Sequence, residues 1–342
     1  MAPGREQPPF LSCVLPCYNE AANLRLMLPQ LEAFLNAGYP RWEVLMVDDG
    51  SRDDTAAVLT EWSAKPGFRA LLLSRNFGKE AALTAGLDAA SGEAVVLMDA
   101  DLQHPLRYVT EMTLRWQRGA DVVYAAREHR EDEGLLKRAG ANAFYSLINL
   151  GSPVKIPDNA GDFRLMDRAV VDAIKSLPER TRVMKGLYAW VGFRTEALPY
   201  SPDERAHGQS SFRPMKLAGL ALSGLTAFTT WPLRVLSISG ALIAFLAFSY
   251  GAFLTVDYLI YGADVSGWTT IVVLLLMFAG VQLLSVGILG EYLARVFDEV
   301  KARPVYLVRR RLGEHPAAQG AATLLQEGAQ AAWKRTGAGP SE

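Results

Sequence analysis

Two aspartates one residue apart, Asp99 and Asp101, close the apolar run VVLMDADLQHP, with Gln103 just behind them. If the run is a β-strand, positions i and i+2 face the same way and the two carboxylates converge. Like charges held together repel unless a proton or a cation lies between them. A hard divalent ion such as Mg2+ is held by one or two carboxylates with substrate phosphates, and the amide oxygen of Gln103 would add one more oxygen ligand. The competing reading of the pair is a solvated acidic turn, and the rest of the chain has to choose.

Residues 10 to about 125 supply a scaffold, because they alternate in a βα rhythm. FLSCVLPCYNE, WEVLMVDDGS, FRALLLSRNFG and AVVLMDADLQ read as strands running into polar loops. AANLRLMLPQLEAFLNAG, DDTAAVLTEWSAK and KEAALTAGLDAASG read as the helices between them. ADVVYAAR is a later strand. Such alternation predicts a mostly parallel sheet covered by helices. Each strand ends in polar residues: Tyr18 to Glu20, Asp48 to Ser51, Arg75 with Asn76, and Asp99 to Gln103. Ligands of open parallel sheets bind beyond the carboxyl ends of the strands, so these ends define one polar crevice. No GxxxxGK[ST] loop and no GxGxxG follow a strand, which disfavours a P-loop NTPase and a dinucleotide oxidoreductase.

The chain has 342 residues, half of them hydrophobic, and a net charge of −1, enough for one α/β domain and more. The charge balance gives no footprint for nucleic acid. Cys13 and Cys17 lie too close in sequence to staple distant segments, and no second Cys or His pair completes a metal site, so a reducing compartment fits. The first ten residues carry no secretory apolar run. Two later stretches, Val235 to Val256 and Val265 to Gly290, contain no charged residue and reach the roughly 20 residues that span a bilayer as a helix. Their connector carries Asp257 and Asp264 and no Lys or Arg, while Arg213, Lys216, Arg234, Arg295, Lys301, Arg303 and Arg309 to Arg311 flank them. Positive flanks stay inside, so both long ends are expected in the cytoplasm.

Between about 126 and 200 the pattern is less regular. REHREDEGLLKR reads as a solvated helix face, PDNAGDFRLMDRAV as a turn with acids and an arginine, and RTRVMKGLYAWVGF as basic and aromatic together. FRPMKLAGLALSGLTAF has an imperfect apolar stripe and reads as a helix lying in the membrane interface. The expected organisation is a flexible stretch 1–9, a catalytic domain 10–210, an interfacial helix 211–230, two spans within 231–293, and a basic cytoplasmic tail 294–342. Beyond about 312, Ala, Gly and Gln dominate without Ile, Val or Phe, which reads as disordered or loosely helical.

VLPCYNE, VDDGS, LSRNFGKEAAL, MDADLQHP, DFRLMDR, RTRVMKGLYAWVGF and GEYLARVFDEVKARPVYLV, in this order over residues 11 to 308, resemble a family 2 glycosyltransferase of GT-A fold. The resemblance is closest to the polyprenyl-phosphate group, the bactoprenol glucosyltransferases and, further off, the dolichyl-phosphate mannose synthases. It implies transfer of a sugar from a nucleotide-sugar, UDP-glucose first, to undecaprenyl phosphate at the inner membrane, with Mg2+ or Mn2+. It also implies a homo-oligomer, a tetramer by analogy with related enzymes. Pro16, Tyr18, Glu20 and Asp49 would hold the nucleoside, with Asp49 on the base edge and Asp48 shaping the turn. Arg75 and Lys79 would lie near the diphosphate. Asp99, Asp101 and Gln103 would bind the metal, Asp101 with a catalytic part, and Asp162 takes the position of the catalytic carboxylate. Arg127, Arg205 and Arg182 would bind the acceptor phosphate, with a structural reading equally open for Arg182, while Tyr18 or Arg164 taken alone fits packing or a surface ion pair better. The chain departs from the family where GxSK or GxTK is common: HGQSSF puts Ser211 in place of the lysine, with Arg213 or Lys216 as substitutes. The rival readings are a GDP-mannose or modified-arabinose donor, a processive polysaccharide synthase (which usually adds QxxRW and further spans) and a scaffold with an inactive domain.

Overall fold

A computed structural model describes residues 5, 7–127, 160–180, 182–200, 231–261 and 267–313. Its elements begin with β1 (Leu11–Cys17), α1 (Ala21–Gly38), β2 (Trp42–Asp48), α2 (Thr55–Trp62), β3 (Phe68–Leu73), α3 (Lys79–Ala89), β4 (Ala94–Leu97), α4 (Arg107–Gln117) and β5 (Val122–Arg127). After the undescribed residues come β6 (Ala160–Asp167), α5 (Arg168–Ser176), α6 (Met184–Trp190) and β7 (Thr195–Tyr200). The long helices α7 (Trp231–Tyr261) and α8 (Trp268–Val300) and a last strand β8 (Val308–Leu312) follow.

The strands form one sheet in the order β7-β5-β6-β4-β1-β2-β3-β8. β4, β1, β2 and β3 run parallel, as the βα rhythm predicts, while β6 lies antiparallel between β4 and β5. Both faces are covered, so the central strands are largely apolar, with Ser12 and Glu43 buried as a hydrogen-bonded pair. Leu11, Cys13 and Leu15 of β1 pack with Leu24, Leu28 and Leu35 of α1 and Met112 of α4 on one side. Val14, Leu45 and Leu97 pack with Leu83 of α3, Ile174 of α5 and Leu187 of α6 on the other. Leu28 is completely buried, and its truncation to Ala costs about 2–5 kcal/mol. Cys13 and Cys17 are free and buried in this core, and burial pushes the Cys13 thiol up to about 12.

Two segments differ from their sequence reading. DFRLMD is a strand rather than a turn: Phe163 and Leu165 enter one face of the core and Met166 the other, with Arg164 buried between them. Part of the expected basic tail is also structured. α8 runs on to Val300, and VRRRL pairs antiparallel with β3 as β8, which satisfies an otherwise open sheet edge. Tyr306 donates its hydroxyl to Asp88 Oδ2 at 2.8 Å, and the Glu299 carboxylate accepts the Arg180 N–H at 2.9 and 3.1 Å. The end of α8 is therefore fixed to the α/β domain.

Of the two expected spans, one helical window among the described residues, Met277–Val300, is long and apolar enough to cross a membrane, with a mean hydropathy of 1.4. α7 is 31 residues long and α8 is 33, and both leave large apolar side chains open: Ile238 is 70% exposed, Leu259 76% and Leu283 73%. The interfacial helix expected at 211–230 lies outside the described residues, as do the charged stretch after Arg127 and the chain beyond 313.

Candidate active site

The carboxyl ends of β1, β2 and β4 and the start of α3 enclose a cleft of about 450 Å3. Pro16 lines it from the end of β1, Tyr18 and Glu20 just after β1, Asp49 after β2, Lys79 from α3, and Asp99 with Asp101 after β4. These residues are adjacent because their loops are tied together. Asn19 adopts a left-handed backbone (φ 56°), accepts the Arg52 N–H at 2.8 Å and donates its own to Ser51 Oγ at 2.9 Å. Thr55 Oγ1 accepts the Glu20 N–H at 2.9 Å. Gly50, at φ +69°, lets this loop lie on the next one, since a Cβ there would stand 2.5 Å from the Arg75 carbonyl carbon.

The acidic pair arises differently from its sequence reading. β4 ends at Leu97, so Asp99 and Asp101 lie in the following loop and strand alternation does not align them. The loop turns tightly just after them: Leu102 takes φ 63°, Asp101 Oδ1 accepts the Gln103 N–H at 3.1 Å, and both aspartates line the same cleft. Asp162 arrives from the opposite direction. β6 is antiparallel to β4 with Leu97 beside Arg164, and extending that register by two residues sets Asp162 across from Asp99. Like charges placed so are destabilising alone. Lys79 Nζ lies between them, 2.6 Å from Asp99 Oδ1 and 2.8 Å from Asp162 Oδ2.

Several partners of this triad were not singled out in the sequence. His104 is half-buried and accepts the Asp99 N–H on Nδ1 at 3.1 Å, and its ring stacks on Phe163 with centroids 4.5 Å apart. Burial lowers its pKa against the pull of Asp99 and Asp101, so the ring is neutral with its proton on Nε2. Glu80 is held by the Met184 N–H at 3.1 Å. Burial, with Asp162 close by, pushes Glu80 up to about 7. Burial alone would raise Asp162 as well, but Lys79 and then Lys185 outweigh it and hold the carboxyl below its usual range. Arg164 is 3% exposed, donates to the Gly161 carbonyl at 2.6 Å and lies 3.6 Å from the Tyr188 ring centroid. The stretch RTRVMKGLYAWVGF is thus partly the short helix α6, which backs the acidic site. Lys185, Glu80 and His104 lie inside the motifs RTRVMKGLYAWVGF, LSRNFGKEAAL and MDADLQHP, but the sequence assigned them no role.

The other expected residues are placed as follows. Asp49 lines the cleft, and its two oxygens accept the Phe77 N–H at 2.7 Å and the Gly78 N–H at 2.9 Å, which shapes the approach to α3. Asp48 accepts the Ser51 N–H at 3.0 Å and shapes the turn, as read from the sequence. Arg75 lies 3.9 Å from the Phe77 ring centroid and donates to the Asn76 carbonyl, away from the lining of the cleft. Arg127 ends β5 at the same edge of the sheet, beside Tyr200. Arg182 donates to the Leu177 carbonyl at 2.8 Å and the Glu179 carbonyl at 3.1 Å. Arg205, Ser211, Arg213 and Lys216 lie outside the described residues.

Chemically the cleft offers hard oxygen donors on one wall and a movable ammonium beside them. Among the described residues, no group of three or more His, Cys, Asp or Glu forms a ready-made metal cage. A two-carboxylate site suits Mg2+ or Mn2+ that brings part of its shell from substrate phosphates. Fold and site together define an α/β enzyme whose ligands bind at the carboxyl ends of a mostly parallel sheet.

The chain belongs to glycosyl transferase family 2, whose model matches residues 12–175, and it is a glycosyltransferase of GT-A fold. It is 45% identical over 299 residues to an uncharacterized glycosyltransferase of Synechocystis, covering 87% of this chain and 94% of that one. It is 42% identical over 301 residues to the SfII prophage-derived bactoprenol glucosyl transferase of Shigella flexneri, covering 88% and 97%. A solved glucosyl-3-phosphoglycerate synthase of Mycobacterium tuberculosis is 25% identical over 62% of this chain and 74% of that one, with a TM-score of 0.44.

Proposed function

We propose that this enzyme transfers a sugar, glucose from UDP-glucose in the first instance, to the phosphate of a polyprenyl phosphate such as undecaprenyl phosphate. The observation that carries the reading is the meeting of Asp99, Asp101, Lys79 and Asp162 at the carboxyl edge of the sheet. The named activity of the Shigella relative, aligned over nearly its whole length, supports the lipid acceptor and the glucosyl donor.

A lipid phosphate monoester has a second pKa of about 6, so at neutral pH it is largely a dianion and already a nucleophile. Its oxygen forms the new bond to the anomeric carbon as the bond from that carbon to the nucleotide diphosphate breaks, with inversion and without removal of a proton. The obstacle is bringing an anion up to a donor that is also negative. Asp99, Asp101 and Gln103 would hold Mg2+ or Mn2+, which supplies charge neutralisation for the departing diphosphate. Pro16, Tyr18, Glu20 and Asp49 form the nucleoside side of the cleft, and Lys79 serves the diphosphate. Asp162, held ionised by Lys79 and Lys185, orients the acceptor and shapes the field at the anomeric carbon. Arg127 and Arg205 take the acceptor phosphate through paired hydrogen bonds. Arg182 joins them on releasing its two backbone carbonyls.

α7 and α8 cross the cytoplasmic membrane, both long ends stay inside, and the assembly is a homo-oligomer with a tetramer as the working form. Anchoring the domain to the leaflet that carries the acceptor converts an encounter in three dimensions into a local one. The test is transfer of label from UDP-glucose, GDP-mannose and UDP-arabinose panels into organic-extractable lipid by purified enzyme with undecaprenyl phosphate. Label in phosphate-bearing lipid with UDP-glucose supports the reading. Label in insoluble polymer, or none with any donor, contradicts it.

A further inference from the structure

The ammonium of Lys79 stands where a donor-bound enzyme would need Asp99 for other work. Its Nζ sits 2.6 Å from Asp99 Oδ1 and 2.8 Å from Asp162 Oδ2, and the register of β4 and β6 explains why some cation is needed there. Two carboxylates brought together just beyond the end of a ladder disfavour each other's ionisation unless a positive charge lies between them. Lys79 is the first residue of α3, just after Gly78 at φ +100°, and its side chain is 43% exposed. A lysine head on a four-carbon stem can move several ångströms by rotamer changes alone. The open side of its position is the cleft that contains Asp101 and Tyr18.

We infer that Lys79 has two stations: without donor it is the resident counter-ion of Asp99 and Asp162, and with donor it leaves Asp99 and binds the diphosphate. This rests on the proposed donor being a nucleotide diphosphate accompanied by a divalent ion. The consequence is a binding order. A divalent ion arriving alone meets an ammonium already on Asp99 and is repelled by it. The same ion arriving with a diphosphate brings negative charge that draws the ammonium away. Lys79 thus opposes the bare metal and favours the metal–nucleotide complex. A fixed structural ion pair would act on both ligands in the same direction, so its removal would tighten both by relieving repulsion or weaken both by loosening the site.

The experiment uses the full chain in detergent and follows free Mn2+ by electron paramagnetic resonance, with and without UDP, for wild type and Lys79→Met. Lys79→Met is expected to bind Mn2+ alone about tenfold more tightly than wild type and to bind Mn2+ with UDP about tenfold more weakly. Lys79→Gln, which keeps a hydrogen-bond donor toward both carboxylates, shows the same opposite signs and serves if the Met variant does not fold. Weaker or unchanged binding of Mn2+ alone in a folded variant overturns the two-station role while leaving the donor reading intact. A wild-type protein that binds neither Mn2+ nor Mn2+ with UDP overturns the donor reading, and this inference with it.

Discussion

Asp162 faces Asp99 because β6 enters the sheet against β4, and its charge survives burial because Lys79 lies 2.8 Å away. Asp162→Asn should keep UDP binding by calorimetry and lower turnover by about 100-fold or more, as expected for a group acting on charge in the transition state. Wild-type turnover in that variant would remove Asp162 from the mechanism. Glu80 gives a pH signature. Its folded pKa is raised to about 7 by burial, with Asp162 adding to it, so the neutral form stabilises the fold. That contribution is complete below the unfolded value of about 4.3 and is lost as pH rises through about 7, on the order of 3 kcal/mol. Thermal unfolding of Glu80→Gln between pH 4.5 and 8 should be flatter than wild type; parallel curves would deny Glu80 the role. His104 can be split into its two contacts. His104→Phe keeps the ring on Phe163 but loses the acceptor for the Asp99 N–H, and His104→Asn does the reverse. The Phe variant should weaken Mn2+–UDP binding about tenfold and the Asn variant less. Asp99, Asp101 and Asp162 were legible in the sequence because motif and polar strand ends mark them. His104 and Glu80 lie in the same motifs, but their roles were not legible, because a hydrogen bond to a backbone amide and a carboxylate behind a helix turn do not show in residue type or spacing.

At the scale of elements, the parallel core was legible from the apolar runs and their spacing, while β6 and β8 were not. β6 carries Arg164 in mid-strand, and a buried arginine conceals a strand that is otherwise inward-facing on both sides. β8 is VRRRL, whose three arginines are exposed and imitate a solvated tail. Charged side chains are how sheet edges resist pairing with foreign strands, so the disguise has a physical cause. β8 also explains how α8 is held against the catalytic domain, together with Tyr306 on Asp88. Truncation before Val308 should raise hydrogen exchange across Phe68–Leu73, the strand that loses its neighbour, while leaving Leu11–Cys17 in the middle of the sheet protected. Unchanged protection of Phe68–Leu73 would show that β8 contributes nothing to the domain.

For the whole molecule, the proposed seat of the catalytic cleft at a membrane surface rests on the exposed apolar rows of α7 and α8 and on the basic residues that flank them in sequence. Both native cysteines are buried, so a single added thiol reports sidedness cleanly. Asp264→Cys should react with an impermeant maleimide added outside intact cells, and labelling only after lysis would reverse the proposed topology. The central claim is that neighbouring acids grip a divalent ion that lets two anionic reactants approach. Its most direct test is the rate of sugar transfer to undecaprenyl phosphate by purified enzyme stripped with EDTA, then resupplied with Mn2+, beside Asp99→Asn/Asp101→Asn. The account predicts a fall of about 1,000-fold or more on stripping, recovery with Mn2+ in wild type, and none in the double variant. Transfer at the original rate by the stripped enzyme or by the double variant would contradict it.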